Sequence, residues 1–175
     1  MSKASKKIKK IYSQSIQGLA KGDLSALKKN RKAVSKYSEE VDDLRNDLFY
    51  FIKNLDEETI KGASNFYINV LAYMQGIAES LQYISKITYK HINNNHTKLT
   101  FNQIRELQEI DSELNNLYNE IQFIFSNENL KELNKVIDKK QELYSSLKEK
   151  IDIQIARTKK DESSPKNTTL YFSIL

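Results

Sequence analysis

Apolar residues recur along the chain with the spacing of α-helices. From Leu27 onwards a leucine or valine returns every seven residues, and a further apolar residue follows three positions after several of them. The series is Leu27, Val34, Val41, Leu48 and Leu55, with Tyr37, Leu44 and Phe51 in between. This is the repeat of one apolar helix face, extending over about 30 residues. Similar faces predict helices over 3–20, 23–54, 56–92, 100–126 and 128–158, and from 167.

Residues that favour helix ends stand between these segments. Asp23 is a good N-cap for the second helix, and Thr100 with Gln103 fits the capping box of the fourth. Three asparagines at 93–95 tolerate the left-handed conformation that ends many helices. The chain has one Pro and four Gly among 175 residues, which leaves little material for β-turns. We therefore expect an all-α protein.

The third predicted helix is apolar on nearly every side. Between residues 59 and 84 its only charged side chains are Lys61 and Glu79, although 29% of the whole chain is charged. Such a helix needs neighbours on several sides to remove its apolar surface from water. We therefore expect it to be the buried centre of the fold. In the fifth helix we expect an inward face made of Leu130, Leu133, Ile137, Tyr144, Leu147 and Ile151.

Two sequence matches indicate an internal duplication. Residues 23–29 resemble 129–135, and residues 64–71 resemble 168–175, at offsets of 106 and 104 positions. Both matches fall in the same order, which predicts two three-helix units. Because the second match reaches the last residue, we expect the last helix of the second unit to be truncated.

Charge divides the chain unevenly. Residues 1–36 contain eleven lysines and arginines and one acid, so they carry +10, while the whole chain carries +5. A basic leader on an acidic body favours an anionic surface nearby, either a membrane or nucleic acid. A solvated, lysine-rich leader is the alternative.

The composition also indicates the cellular compartment of the protein. The chain has no cysteine, which suits a reducing environment, and its start lacks the apolar core of a signal peptide. No apolar run approaches the roughly 20 residues of a membrane-spanning helix. We therefore expect a cytosolic protein.

The order of these features resembles a known family. The segments NLDEETIKGASNFYINVLAYM, YKHINNNHTKLT and TTLYFSIL, within a duplicated three-helix unit, resemble the PhoU-like domain. They are most similar to the version at the C-terminus of bacterial sodium/phosphate transporters of the PiT type. In that subgroup a hairpin with the pattern His-x-Asp/Asn-Asn-Asn-His follows the apolar helix, and residues 91–96 match it. The resemblance covers residues 10–175.

The resemblance implies an elongated PhoU-like helical bundle of two three-helix units. A basic leader and first helix would occupy 1–22, the bundle 23–158, and a polar linker with the start of a truncated final helix 159–175. The family's last helix continues past the position of Leu175 with a segment that is missing here.

The resemblance also implies a function. The chain would be a non-catalytic cytosolic regulator of phosphate uptake at the inner face of the membrane, docked to the membrane domain of a phosphate transporter or part of it. Association into a homo-oligomer stays open. The alternative is a structural helical-bundle module whose basic arm binds an anionic membrane or nucleic acid. We expect neither an enzyme nor specific nucleic-acid recognition, because no phosphate-binding loop or nucleophile motif occurs.

PhoU proteins are associated with Glu/Asp-x-x-x-Asp motifs that hold metal ions. Glu39, Asp43 and Asp47 have this spacing, which places carboxylates on one helical face where a divalent or transition-metal ion could bind. A complete site would need further carboxylates, and Glu109 with Glu113 is the comparable pair. A solvated acidic face is the commoner explanation of such a pattern.

The predicted hairpin supplies the other candidate site. His91, Asn94 and His96, with the neighbouring amides, could coordinate an ion or an anion. More often such residues connect the two sides of a turn through hydrogen bonds to the backbone, and we favour that interpretation.

Overall fold

The computed structural model describes residues 2–54 and 57–175, with side chains described for 3–54 and 65–175. The described parts form α-helices joined by short turns and contain no strand, which confirms the all-α prediction. The helices are α1 (Ser2–Lys21), α2 (Leu24–Lys53), α3 (Glu57–Asn93), α4 (Phe101–Ser126), α5 (Leu133–Lys159) and α6 (Pro165–Ile174), with a single 3-10 turn at Leu130–Glu132.

The predicted helix caps are present. The Asp23 carboxylate accepts a hydrogen bond of 2.9 Å from the backbone N–H of Ala26 at the start of α2. At the start of α4 the backbone N–H of Gln103 donates to Thr100 Oγ1 at 3.3 Å, and the backbone N–H of Thr100 donates to Gln103 Oε1 at 3.0 Å. These bonds satisfy amides that have no partner within the helix.

Helix α1 lies at the centre of the first unit, packed against α2, α3 and α4. Its buried apolar side chains are Ile8, Ile11, Tyr12, Ile16 and Leu19, all within the main hydrophobic core. Each large apolar side chain that is removed from water contributes about 1.5–3 kcal/mol. The segment that the sequence suggests as a basic leader is therefore a core helix, with most of its lysines on the exposed side.

The expectation that α3 is buried on all sides is wrong. Phe66, Tyr73 and Tyr83 are 61%, 74% and 53% exposed. The part of the expectation that concerns residues 59–64 lies outside the described side chains. The buried face of α3 is a single stripe made of Ala78, Leu81, Ser85, Thr88 and His91.

The length of α1 explains the exposure of Phe66 and Tyr73. Lys7 pairs with Glu40, so the beginning of α1 lies near the middle of α2. Beyond this level α2 and α3 continue as an antiparallel pair that α1 does not cover. The predicted seam of α2 is accordingly buried at Val41 but exposed at Leu44 and Phe51, and Leu55 lies outside the described residues.

The second unit is attached to the first through α1 and α4. Ser13 on α1 donates a hydrogen bond of 2.6 Å to Asp111 on α4, and Asn115 donates one of 3.1 Å to Ser13. Helix α5 packs on α4, and α6 packs on α3 and α5. No helix among the described residues is both long and apolar enough to cross a membrane.

The expected inward face of α5 is largely exposed. Leu130, Ile137 and Tyr144 are 57%, 59% and 58% exposed, while Lys150 and Gln154 are buried. Leu133 and Ile151 are also exposed, and Leu147 is partly buried. Helix α6 has ten residues, whereas α3 has 37, so α6 covers only the last turns of α5. Among the described residues, the earlier turns pack against α4 without a third helix beside them.

Candidate functional site at the hairpin between α3 and α4

The carboxylates of the predicted metal stripe are on the surface of α2. Glu39, Asp43 and Asp47 are all exposed. Within the described parts of the chain, no group of three or more histidine, aspartate or glutamate side chains is arranged so that it could hold a metal ion. The structure therefore gives this stripe no further ligand.

The second predicted carboxylate pair is engaged in the interface between α4 and α5. Glu109 lies 3.1 Å from the Lys150 ammonium group, and Glu113 accepts a hydrogen bond of 2.8 Å from Ser146. Both carboxylates thus serve the packing of α5 on α4. The structure does not bring them together with the stripe on α2.

The three predicted hairpin residues follow one another around a tight turn at the end of α3. Asn95 has a φ of 51°, in the left-handed region that the asparagine run predicts. The backbone N–H of His96 donates to the carbonyl of His91 at 3.1 Å. The Nε2 atom of His91 is 3.0 Å from the carbonyl oxygen of Thr97, so the ring must donate and Nε2 carries the proton. This bond supports the structural interpretation of His91.

The same residues border a largely open cavity of about 410 Å³ between the hairpin and α6, which we name the hairpin cavity. His91, Asn94 and His96 all line it. The remaining lining residues are Ile87, Lys90, Pro165, Lys166, Thr169, Leu170 and Ser173. The structure therefore joins the predicted hairpin residues to residues of α6 that are about 70 positions away in the sequence.

The side chains of the hairpin cavity divide into apolar and basic groups. Ile87, Pro165 and Leu170 supply apolar surface, and Lys90 and Lys166 supply two ammonium groups. Neither lysine takes part in an ion pair within the described part of the chain. No carboxylate is among the lining residues. The cavity is therefore an electropositive site with an apolar wall.

The ring of His91 adds no fixed charge at neutral pH. Burial lowers its pKa below the ordinary value of 6.5; the bond to Thr97 opposes this shift, and the neighbouring His96 adds to it. The two rings are in contact edge to face, with centroids 5.4 Å apart. At neutral pH His91 therefore adds no charge to that of Lys90 and Lys166.

A buried polar cluster holds α6 next to this cavity. Glu106 on α4 receives two hydrogen bonds from the Arg157 guanidinium group on α5, one of them 2.8 Å long, and a third of 2.6 Å from the Tyr171 hydroxyl on α6. Burial on its own raises the pKa of Glu106, but the hydrogen bonds from Arg157 and Tyr171 outweigh it and leave the pKa below its usual value. Glu106 therefore remains ionised at neutral pH.

Amide and hydroxyl side chains extend the cluster towards the start of α6. Gln103 donates to Gln154 at 3.0 Å and to Ser163 at 3.1 Å, and Gln154 donates to Thr168 at 3.1 Å. Gln103 and Gln154 are fully buried. We name the set Gln103, Glu106, Gln154, Arg157, Thr168 and Tyr171 the polar cluster. Its hydrogen bonds fix three helices at one place.

Sequence reasoning does not find the polar cluster. Glu106 and Arg157 each stand next to predicted helix faces, where a charged residue is ordinarily exposed. A heptad pattern locates a residue on its own helix but does not tell which residue of another helix it faces. The sequence contains only a weak signal for the burial of Glu106. This residue directly precedes Leu107, which is fully buried in the structure.

Comparison of the chain with protein-family models, with curated proteins and with solved structures finds no match. Inference about function therefore depends on the residues and on their arrangement.

Proposed function

We propose that the chain is a non-catalytic regulatory module of the PhoU-like type that acts on phosphate transport. It would dock to the membrane domain of a sodium/phosphate transporter, or form part of it, at the inner face of the membrane. The observation that carries the proposal is the hairpin at 91–96, the most specific part of the resemblance. It folds as the closing turn of α3, with its histidines and Asn94 gathered on one cavity.

The arrangement of the helices supports the same proposal. Sequence matches predict two three-helix units. In the structure α1 packs against α2 and α3, and α5 packs against α4 and α6, while α1 also packs against α4 and α6 against α3. The matched segment 64–71 lies in α3, and the matched segment 168–175 lies in α6 up to Ile174. A helical bundle offers helix surfaces for docking.

The surface charge indicates how docking would be oriented. Lys3, Lys6 and Lys10 on α1 are exposed, while the isoleucines of the same helix are in the core. The first half of α2 adds five exposed basic side chains: Lys28, Lys29, Arg31, Lys32 and Lys36. A basic surface is attracted to anionic lipids by about 1 kcal/mol for each lysine near the membrane. It would therefore face the membrane beside the transporter.

The mechanism would be docking that changes the rate of transport. A module held at the membrane by its basic surface is at a high local concentration next to the transporter, so a weak protein contact suffices.

The test is reconstitution of a bacterial sodium/phosphate transporter in vesicles, followed by addition of the chain. We expect more chain bound to transporter vesicles than to lipid alone, and a change in sodium-driven phosphate uptake. The variant Lys3→Glu/Lys6→Glu/Lys10→Glu should reduce binding by about a hundredfold or more. Circular dichroism of the variant checks that the helices are intact.

Equal binding to vesicles with and without transporter, together with unchanged uptake, would refute the proposal. That result would favour the alternative, a helical module whose basic surface binds an anionic membrane. Binding to duplex DNA with a steep salt dependence, and without lipid binding, would favour nucleic acid instead.

A further inference from the structure

The hairpin cavity, whose hairpin also supports the proposed function, has features that go beyond the regulatory role. It lies between two parts of the chain, the end of α3 with its hairpin and the start of α6. Its volume of about 410 Å³ falls in the range of small-molecule sites in proteins. Apolar surface with a few polar groups is also the usual composition of such sites.

The positive charge of the cavity favours the binding of an anion. Lys90 and Lys166 are both exposed, line the same cavity and have no carboxylate partner among the described residues. Lysine is a common phosphate-binding residue, because its ammonium group is a compact charge with three donors. Two lysines match a dianionic group, whereas a single carboxylate would leave one of them without a counter-charge.

Backbone groups around the cavity are already paired in hydrogen bonds. The last carbonyl groups of α3 at Lys90, His91 and Ile92 already accept hydrogen bonds from the hairpin amides. At the start of α6 the amides of Asn167 and Thr168 bond to Ser164. The attraction for an anion therefore comes from the lysine side chains and not from a helix end.

The apolar wall favours an anion that is attached to an apolar group. Ile87 and Leu170 lie on facing helices and Pro165 on the first turn of α6. Leu170 is largely buried, so the water-exposed part of this wall lies mainly at Ile87 and Pro165. Inorganic phosphate would leave that part in contact with water, whereas a phosphate on an apolar body would cover it. Burying apolar area contributes about 25 cal/mol per Å², so the larger ligand gains affinity.

We infer that the hairpin cavity binds a phosphomonoester with an apolar body, its phosphate held by Lys90 and Lys166 and its body against Ile87, Pro165 and Leu170. His91 and the hairpin give the cavity its shape. A soluble organic phosphate and the headgroup of phosphatidic acid share this chemistry, and the experiment separates them.

The soluble form is tested with phenyl phosphate, titrated into the isotopically labelled chain and followed by NMR. We expect shifts of the backbone resonances of Lys90, His96 and Thr169, and tighter binding than for inorganic phosphate. Lys90→Gln and Lys166→Gln should each weaken binding by about tenfold. Lys131→Gln removes the same charge from an exposed position remote from the cavity, and it should leave binding unchanged.

The lipid form is tested with phosphatidylcholine vesicles that contain phosphatidic acid. Vesicles with phosphatidylglycerol at the same surface charge are the control for attraction to the basic surface of α1 and α2. If the lipid is the ligand, Lys90→Gln and Lys166→Gln weaken binding to phosphatidic acid by about tenfold and leave binding to phosphatidylglycerol unchanged. If a soluble phosphate is the ligand, the two substitutions weaken only the binding of phenyl phosphate and leave vesicle binding unchanged.

Two results would overturn the inference. One is the absence of shifts at the cavity with phenyl phosphate up to about 10 mM together with vesicle binding that neither substitution changes. The other is binding of inorganic phosphate as tight as that of phenyl phosphate, which would contradict the role of the apolar wall. Both substitutions are on exposed side chains, and the thermal transition of each variant verifies that the fold is intact.

Discussion

The hydroxyl group of Tyr171 donates a hydrogen bond of 2.6 Å to the carboxylate of Glu106, 65 positions earlier in the chain. Tyr171 is fully buried and Glu106 is 5% exposed. Burial, with the hydrogen bond to Glu106, raises the pKa of the tyrosine far above its ordinary value, so its proton stays on the hydroxyl. The bond holds the short helix α6 against α4, and α6 in turn forms one wall of the hairpin cavity.

Removal of this hydroxyl should destabilise the protein, whereas removal of another buried one should not. Tyr171→Phe deletes a bond to an ionised acceptor and should lower the free energy of unfolding by about 1.5–3 kcal/mol. Tyr37 is buried to a similar degree, but its hydroxyl has no hydrogen-bond partner among the described residues. Tyr37→Phe should leave stability unchanged or raise it by up to about 1 kcal/mol.

Urea unfolding of the two variants, followed by circular dichroism, gives both values. Equal destabilisation by the two substitutions would contradict the assignment of the Tyr171 bond. A large loss for Tyr37→Phe alone would mean that its hydroxyl has a partner.

The ion pair of Glu106 and Arg157 should behave as a buried pair. Their side chains are 6% and 14% exposed. Glu106→Gln removes one charge and leaves the other buried, which should cost about 3–5 kcal/mol. The double variant Glu106→Met/Arg157→Met removes both charges and should be more stable than Glu106→Gln.

An exposed ion pair provides the matched comparison. Asp42 and Arg45 on α2 are 55% and 42% exposed and 3.3 Å apart. Asp42→Asn should change the free energy of unfolding by less than about 1 kcal/mol. If Glu106→Gln changes stability as little as Asp42→Asn, the buried pair does not hold α5 and α6 in place.

Stability should fall as the pH falls below the ordinary pKa of histidine. His91 has a lowered pKa in the folded protein, so between its folded pKa and 6.5 the unfolded chain binds more protons. The stability due to its neutral form is fully present above pH 6.5 and is lost progressively as the pH falls to the folded pKa. Urea unfolding between pH 7.5 and pH 5.5 measures this slope.

Two substitutions separate the causes of this dependence of stability on pH. His91→Gln should abolish it over this pH range, even if stability at pH 7.5 is lower. His96→Gln should reduce the slope without abolishing it, because burial is the largest cause of the shift and His96 a smaller one. An unchanged slope in His91→Gln would assign the effect to another group.

Two glycines in helices should respond to alanine in opposite directions. A Cβ atom at Gly18 would lie 2.7 Å from the side chain of the buried Leu27, where α1 meets α2, so Gly18→Ala should cost about 1–3 kcal/mol. A Cβ at Gly76 would meet nothing within 4 Å. Gly76→Ala should therefore stabilise α3 by about 0.5–1 kcal/mol, the difference in helix propensity. Thermal unfolding measures both, and stabilisation by Gly18→Ala would contradict the close contact of α1 and α2.

Some of the fold could be predicted because it depends on local chemistry. The helices start and end within a few residues of the predicted positions, since Asp23 and Thr100 cap their own helices and Asn95 adopts the left-handed conformation. The seam of α4 is likewise buried or partly buried from Leu107 to Ile124. Periodicity and capping concern neighbours in sequence, and the sequence contains that information directly.

The predictions that were wrong concern which helices cover one another. The apolar α3 is exposed near Phe66 and Tyr73, while the lysine-rich α1 is at the centre. Overall hydrophobicity suggested the reverse. Burial is decided by how far a neighbouring helix extends, and α1 reaches only the middle of α2. A narrow, continuous apolar stripe such as that of α1 is sufficient for a central position.

The candidate sites divide in the same way. The sequence by itself determined the helices, their caps and the hairpin with His91, Asn94 and His96, because all of these depend on residues a few positions apart. Only the tertiary structure decided that α6 adds Lys166 to the hairpin and that Glu106 meets partners from α5 and α6. Such contacts depend on the rotation and the length of each helix relative to its neighbours, which the pattern of a single helix does not specify.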